Sequence, residues 1–213
     1  MSAGTTLVVI AKEPRAGRVK TRLTPPYSCD QAAALAAAAL ADTLHAVAAA
    51  PAGRRLLVLD GEPGPWLPVG FEVHPQAAGG LDLRLAGAFS LAEGPALLVG
   101  MDTPQLTPAL LQADWSAYDA WLGPALDGGF WSLGIRDPHP ARLPALFHGV
   151  PMSTERTGAA QLWRLRRAGL RVGRLPVLRD VDTAADAEAV AAEAPLTRFA
   201  SLLRSWGPVA RAG

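Results

Sequence analysis

Short apolar runs alternate along the chain with longer segments of helical pattern. The runs TLVVIA at residues 6–11 and ALLVGM at residues 96–101 are unbroken, which is typical of strands buried on both faces of a sheet. Further strands are predicted at residues 55–60, 71–74, 119–123, 130–135 and 171–175. Helices are predicted from a cap at Ser28 or Asp30 to about residue 50, and at residues 83–92, 108–115, 155–168, 184–194 and 196–206.

The order of these elements predicts the fold class. Strands alternate with helices, no internal repeat or low-complexity linker is present, and 213 residues suit one domain. Such alternation is typical of a mostly parallel sheet with helices on both faces. We therefore predict a single α/β domain over residues 1–213, with three α/β/α layers around a mostly parallel mixed sheet.

Composition narrows the class of partner. Half of the residues are hydrophobic, and 20 Lys and Arg residues nearly balance 19 Asp and Glu residues, leaving a net charge of +1. This balance gives no reason to expect nucleic acid or a membrane surface as a partner. The single cysteine, Cys29, rules out an internal disulfide, and a cytoplasmic location is expected.

One Ala-rich stretch, at residues 32–50, is apolar enough to be considered as a membrane span. Asp42, Thr43 and His45 interrupt it, and no stretch approaches the roughly 18 apolar residues that a bilayer requires. We interpret the stretch as a helix of a soluble domain.

The loop after the first predicted strand, KEPRAGRVKTRLTPP at residues 12–26, concentrates positive charge. Its cations can neutralise phosphate, and Gly17 allows backbone to approach a ligand closely. The alternative is a solvated charged surface. The loop matches neither the P-loop nor the dinucleotide fingerprint. The cations are Lys12, Arg15, Arg18, Lys20 and Arg22.

Asp102 follows the second unbroken apolar run directly, in Gly100-Met101-Asp102-Thr103-Pro104. In open α/β sheets, ligands bind beyond the carboxyl ends of the strands, and Mg²⁺ prefers carboxylate and phosphate oxygens. Asp102 is therefore a candidate metal ligand. A cap on the next helix or turn is an equally simple role.

Two further segments carry carboxylates. Asp127-Gly128-Gly129 is either a plain turn or part of a site. In the segment Arg179-Asp180-Val181-Asp182-Thr183, alternation places Asp180 and Asp182 on one side, where a cation would relieve their repulsion. Asp182 or Thr183 could instead cap the following helix. Ser153 and Thr154 could cap a helix or contact a substrate.

The chain resembles the DUF2064 family over nearly its whole length. The blocks VVIAKEPRAGRVKTRLTPP and QAAALAAAALADTL match the start of that family, and GMDTPQLTPALL, LGPALDGGFWSLGI and DVDTAAD follow in order and spacing. These are bacterial proteins of the GT-A type. The family is similar to nucleotidyltransferases, including phospholactate guanylyltransferases and molybdenum-cofactor nucleotidyltransferases, and to sugar-nucleotide-dependent glycosyltransferases.

The resemblance implies roles for particular residues. A nucleoside triphosphate or nucleotide sugar would bind over the first loop, at Ala11, Lys12, Gly17, Lys20 and Arg22. Asp102 and Asp182 would hold Mg²⁺ or Mn²⁺, with Asp180 as the substitute for Asp182. Lys20, Arg22 and Asp102 would be the catalytic residues. A small-molecule acceptor would lie on the side lined by Asp127, Gly128, Gly129, Ser153 and Thr154.

Two segments depart from the family pattern. A block expected to read GDLGER reads here as residues 79–84, with Gly80 in the usual Asp position and Leu83 in the usual Glu position. Asp82 is a candidate replacement. The Trp that precedes the Ser-Thr pair in the family is replaced by Met152. These changes leave acceptor recognition open.

Three functions stay open at this point. Nucleotidyl transfer with release of pyrophosphate is preferred, because the loop is densely cationic. Glycosyl transfer from a nucleotide sugar is the alternative, and a catalytically degenerate nucleotide-binding protein is the third. A homodimer also stays open, since Trp66, Trp115 and Trp206 either mark an interface or pack inside the domain.

Overall fold

The sheet of this chain has seven strands, and each overlaps a strand predicted from the sequence. The computed structural model describes residues 4–207. The strands are β1 (Thr6–Lys12), β2 (Arg54–Asp60), β3 (Glu72–Pro75), β4 (Ala96–Val99), β5 (Ala120–Pro124), β6 (Phe130–Ile135) and β7 (Val172–Arg174).

The sheet is mixed but mostly parallel, as predicted. Its strand order is β3-β2-β1-β4-β6-β5-β7. β6 runs antiparallel to β4 and β5, whereas the other strand pairs are parallel. β1 and β4 lie next to each other in the middle, with Thr6 opposite Ala96 and Val9 opposite Val99. Their carboxyl ends therefore open at the same edge of the sheet.

Six α-helices accompany the sheet in the described residues. They are α1 (Cys29–Ala49), α2 (Leu81–Ser90), α3 (Leu143–Phe147), α4 (Thr157–Arg167), α5 (Ala184–Glu193) and α6 (Arg198–Ser205). Two 3₁₀ helices cover Thr21–Leu23 and Pro108–Leu111. Ser28, one of the two caps proposed from the sequence, begins α1 with a capping box to Gln31.

The core has two halves, one on each face of the sheet. Along β1, Leu7 and Val9 pack with α1 on one face, whereas Val8 packs with α2, α3 and α4 on the other. This alternation is the two-residue repeat of a strand. A third cluster lies outside α1, where α5 and α6 cover its second face. The three α/β/α layers are thus present, with α5 and α6 added beyond α1.

Helix α1 is a core helix with an unusual composition. By length and apolar content alone it could cross a membrane, which differs from the expectation drawn from its sequence. However, 61% of the relevant window is buried inside the domain. Its buried residues face the sheet on one side and α5 and α6 on the other, as in a core helix.

Two local predictions were wrong. The helix expected at residues 108–115 is only the 3₁₀ turn Pro108–Leu111, because Thr107 makes no side-chain cap and Gln112 is already extended. The short helix α3 was missed, since five residues containing Pro144 show too little periodicity to be recognised.

Candidate functional site

A cleft of about 860 Å³ lies over the carboxyl ends of β1 and β4. This is where ligands bind in open α/β sheets. Twelve of the residues selected from the sequence line it: Ala11, Lys12, Arg18, Lys20, Arg22, Asp102, Asp127, Gly129, Ser153, Thr154, Asp180 and Asp182. Gly17 and Gly128 do not line it. Gly17 is exposed, and no atom outside its chain neighbours lies within 4 Å of the position its Cβ would take.

The cationic loop is held at its centre by two apolar anchors. Val19 is buried in the core beneath the sheet edge, and Leu23 is buried against α1 and α6. Lys20, between them, begins the 3₁₀ turn in a left-handed backbone conformation, with φ of 50°. Non-glycine residues rarely adopt this conformation, and such strain tends to be kept at functional positions. The loop therefore fixes the backbone of Lys20 at the rim of the cleft.

A backbone hydrogen bond joins Asp102 to the acidic segment at residues 179–183. The amide of Val181 donates a hydrogen bond of 3.0 Å to the carbonyl of Asp102. Thr183, rather than Asp182, caps α5, because its hydroxyl accepts a hydrogen bond of 3.2 Å from the amide of Asp186. The side chain of Asp182 is thus left to face the cleft, which resolves the alternative that the sequence left open.

Lys20 bridges the two predicted metal ligands. Its ammonium lies 2.9 Å from Oδ1 of Asp102 and 3.0 Å from Oδ1 of Asp182. Arg22 contacts the second oxygen of Asp182 at 3.4 Å, but its side chain is 77% exposed. Burial works to lower the pKa of Lys20, yet the charges of Asp102 and Asp182 outweigh it, so the pKa is raised above its ordinary value. Lys20 is therefore a firmly charged cation between two carboxylates.

Asp180 is a third carboxyl group in the cleft, and one of its oxygens lacks a hydrogen-bond partner. Its Oδ1 is buried and has no hydrogen-bond partner in the protein. Burial, followed by repulsion from Asp102 and Asp127, raises the pKa of Asp180 to about 8. A cation brought close to it would favour its ionised form.

The residues expected to contact an acceptor lie in two loops, the turn at residues 127–129 and the loop before α4. The carboxylate of Asp127 accepts a hydrogen bond of 2.8 Å from the amide of Gly129, which closes the turn. The carbonyl of Gly128 accepts one of 2.9 Å from the amide of Gly158 at the start of α4. Ser153, in the loop before α4, has a φ of 59°. Lys20 and Ser153 are the non-glycine residues with positive φ among residues 4–207, and both line the cleft.

Gln76 and Arg84 also line the cleft and were not selected from the sequence. Gln76 donates to the carbonyl of Ala11 at 2.7 Å and accepts from the guanidinium of Arg84 at 3.0 Å. Arg84 also donates to Asp60 at 2.7 Å, and this hydrogen bond lowers the pKa of Asp60. The network joins the carboxyl ends of β1, β2 and β3. A polar residue directly after β3 was the available signal, but the strand was expected to end at His74.

The positions that depart from the family pattern do not line the cleft, although Leu81 and Arg84 of the same segment do. Gly80 begins α2 without a side-chain cap. Leu83 is 55% exposed, and neither it nor Asp82 lines the cleft. Met152 packs against the core on the α2–α4 face of the sheet. Asp82 thus does not replace the missing carboxylate in the cleft.

The residues around Lys20 suit a divalent cation. Asp102 and Asp182 converge on one cation position, and Asp180 adds a buried oxygen with no partner. Such oxygens are the ligands that Mg²⁺ and Mn²⁺ prefer. Among residues 4–207, however, no three His, Cys, Asp or Glu side chains already form a metal-binding group. The metal site stays a prediction, and Lys20 holds two of its candidate ligands.

The three tryptophans considered for an interface are partly buried. Trp66 and Trp115 pack against the core on the α1 face of the sheet, and the indole of Trp115 donates to Thr5 at 2.9 Å. Trp206 packs on α1 and α6 beside Tyr27. Their burial is explained by packing within the domain.

Comparison with known proteins agrees with this architecture. A family model described as "uncharacterized protein conserved in bacteria (DUF2064)" matches residues 32–154, more than half of the chain. No curated protein matches the chain in sequence.

Three solved structures illustrate the range of similar folds. A protein from Desulfovibrio desulfuricans G20, described as a candidate nucleotide-diphospho-sugar transferase, superposes with a TM-score of 0.84 at 27% identity, covering 96% of this chain and 95% of that one. The 2-C-methyl-D-erythritol 4-phosphate cytidylyltransferase of Thermus thermophilus has a TM-score of 0.56 at 16% identity, covering 92% and 100%. Rv0371c of Mycobacterium tuberculosis H37Rv, solved with manganese, has a TM-score of 0.51 at 21% identity, covering 89% and 98%.

Proposed function

The chain belongs to the DUF2064 family, and on that premise we propose that it is a metal-dependent transferase with a nucleotide donor, acting by nucleotidyl transfer. Its fold is that of nucleotide-sugar transferases and cytidylyltransferases. One observation carries the proposal: a cationic loop and a set of carboxylates line the same cleft at the carboxyl edge of the sheet and meet at Lys20. Positive charge suits donor phosphates, and the carboxylates suit a divalent cation.

The reaction we propose is displacement at phosphorus. An oxygen of a small phosphorylated or hydroxyl acceptor forms a bond to the α-phosphorus of a nucleoside triphosphate. The bond from that phosphorus to the β-phosphate oxygen breaks, and pyrophosphate leaves. A phosphate acceptor attacks with an oxygen that is already deprotonated. A hydroxyl acceptor loses its proton, and Asp127 is the residue to test for receiving it.

The residues of this chain have separate tasks in the proposal. Asp102 and Asp182 would hold the cation, with Asp180 as a further oxygen ligand. A bound Mg²⁺ or Mn²⁺ supplies positive charge to the donor phosphates. Lys20 and Arg22 would stabilise the charge that grows on the transferring and leaving oxygens. Ser153 and Thr154, which line the same cleft, would contact the acceptor.

Glycosyl transfer is the second candidate, and one observation favours it. The structure from D. desulfuricans, described as a candidate nucleotide-diphospho-sugar transferase, covers nearly the whole chain. In that reaction a nucleoside diphosphate leaves instead of pyrophosphate. The third candidate, a nucleotide-binding protein without turnover, is motivated by Gly80 and Leu83 in positions where the family pattern has carboxylates.

Product analysis separates these candidates. The protein is incubated with Mg²⁺, each common nucleoside triphosphate or nucleotide sugar, and a panel of sugar phosphates and polyols, and the products are followed by phosphorus NMR. We expect pyrophosphate from one triphosphate in the presence of one acceptor. Asp102→Asn should lower this rate by about 100-fold or more.

Arg15→Ala is the matched control, because Arg15 lies in the same loop outside the cleft lining and pairs with Glu13. This variant should keep a rate close to that of the wild type. Release of a nucleoside diphosphate from a nucleotide sugar would move the assignment to glycosyl transfer. No consumption of any donor would leave the third candidate.

A further inference from the structure

We infer that the Lys20 ammonium is an internal substitute for the divalent cation, which holds Asp102 and Asp182 in the free protein and must leave them before metal binds. The inference rests on the proposed function for the identity of the metal site. It adds a regulatory property to that site: metal alone binds weakly, and the donor nucleotide releases the site by drawing Lys20 away.

The Lys20 ammonium makes short contacts with both Asp102 and Asp182. Its distances of 2.9 and 3.0 Å to two carboxylates are those of charge-assisted hydrogen bonds. The Lys20 side chain is only 10% exposed, so these bonds are shielded from water. A divalent cation needs the same carboxylate oxygens at about 2.0–2.6 Å. The ammonium and the ion therefore compete for one position.

The side chain of Lys20 can move, whereas its backbone is held in place. The backbone on either side of Lys20 is anchored by Val19 and Leu23, both buried. The lysine side chain, in contrast, is a flexible four-carbon stem that carries a point charge. Release of the carboxylates therefore needs only a change of lysine rotamer, without rearrangement of the loop.

After leaving Asp102 and Asp182, the ammonium would move toward the phosphates of a bound donor. Lys12, Arg18 and Arg22 line the same cleft and together favour an anionic ligand. Donor phosphates offer the ammonium oxygens to replace those it gives up. Removal of Lys20 from Asp102 and Asp182 would leave carboxylates facing each other, which attracts a divalent cation. Nucleotide and metal thus favour each other's binding through one side chain.

The test is a titration of the protein with Mn²⁺ in the absence of nucleotide, followed by electron paramagnetic resonance. We expect Lys20→Met to bind Mn²⁺ about tenfold or more tightly than the wild type, within the usual range of coupling between two ligands. Arg22→Met is the matched control. It removes the same charge from the same loop, but Arg22 is mostly exposed and contacts Asp182 at only 3.4 Å. Its Mn²⁺ affinity should stay within about threefold of the wild type.

Two outcomes would overturn the inference. Lys20→Met could bind Mn²⁺ no more tightly than the wild type, or both variants could gain equally, as expected of a general charge effect. Asp102→Asn added to Lys20→Met should remove the gain. If Lys20→Met does not fold, Lys20→Gln retains a polar side chain without the charge and serves in its place. Because no nucleotide is present, tight Mn²⁺ binding without transferase activity would contradict the proposed function while leaving this inference intact.

Discussion

Gly128 allows the turn at residues 127–129 to pack closely against the loop before α4. Its φ is 89°, and a Cβ at this position would lie 2.0 Å from the carbonyl oxygen of Glu155. Because that oxygen belongs to the backbone before α4, the two loops could not keep their present contact if residue 128 had a side chain.

Gly128→Ala should therefore destabilise the protein by about 3 kcal/mol, through overpacking and backbone strain together. Gly17→Ala is the control, since Gly17 also has a positive φ, of 73°, but has open space around it. Its cost should be about 1 kcal/mol. Urea denaturation of the two variants measures the difference, and equal losses would show that the contact with Glu155 does not matter.

Among single residues, the sequence pointed to most of the charged side chains that line the cleft, but not to their partners. Asp102 was found because it directly follows a buried strand. Asp182 was found because an extended segment places it on the same side as Asp180. The pairing of both with Lys20 was not predicted, since a sequence pattern locates the end of a strand but not the rotamer of a long side chain. Gln76 and Arg84 were missed because their network depends on three strands meeting at one edge.

At the scale of elements, the start of α5 sets the position of the acidic segment. Asp186 accepts hydrogen bonds from the amide and hydroxyl of Thr183, and its pair with Arg179 is 2.9 Å long. Burial works to raise the pKa of Asp186, but the hydrogen bonds of Thr183 and Arg179 outweigh it, so the pKa is lowered below its ordinary value. The segment with Asp180 and Asp182 is thus held from both ends.

Asp186→Ala should lower the free energy of unfolding by about 1–2 kcal/mol at pH 7, because it removes the capping box and an ion pair. Since the pKa of Asp186 is lower in the folded than in the unfolded chain, this stabilisation is present above about pH 4 and is lost as the pH falls through the folded-state value. Denaturation at pH 7 and pH 3 tests both statements. Glu188→Ala, exposed on the same helix, should show neither effect.

The elements themselves were largely predictable. Unbroken apolar runs indicated β1 and β4, and a capped periodic segment indicated α1, because these signals are local in sequence. The 3₁₀ turn at Pro108–Leu111 was predicted as a longer helix, since propensity does not reveal an absent cap. The antiparallel pairing of β6 with β4 was beyond the sequence pattern, because these two strands are distant along the chain.

At the scale of the whole molecule, one buried carboxylate joins the first long helix to the last. Asp42 on α1 is only 9% exposed. It accepts hydrogen bonds of 3.0 Å and 2.8 Å from the amides of Arg198 and Phe199 at the start of α6. In the sequence, Asp42 looked only like an interruption of an apolar run, because its partners lie some 156 residues away.

Asp42→Ala should destabilise the protein by about 2–3 kcal/mol, because the buried amide of Phe199 and the amide of Arg198 both lose a charged acceptor. Asp30→Ala, exposed in the first turn of the same helix, should cost less than about 1 kcal/mol. Thermal unfolding of both variants provides the comparison. A similar change in both would show that Asp42 does not hold α6 in place.

We propose that one cleft of this protein binds a nucleotide together with a divalent cation. The most direct measurement is calorimetric titration of the protein with the common nucleoside triphosphates and nucleotide sugars, with and without Mg²⁺, for the wild type and Asp102→Asn. We predict binding of one triphosphate that depends on Mg²⁺ and is weakened about tenfold or more in Asp102→Asn. No binding of any nucleotide, or binding that is the same without Mg²⁺ and in Asp102→Asn, would contradict the claim.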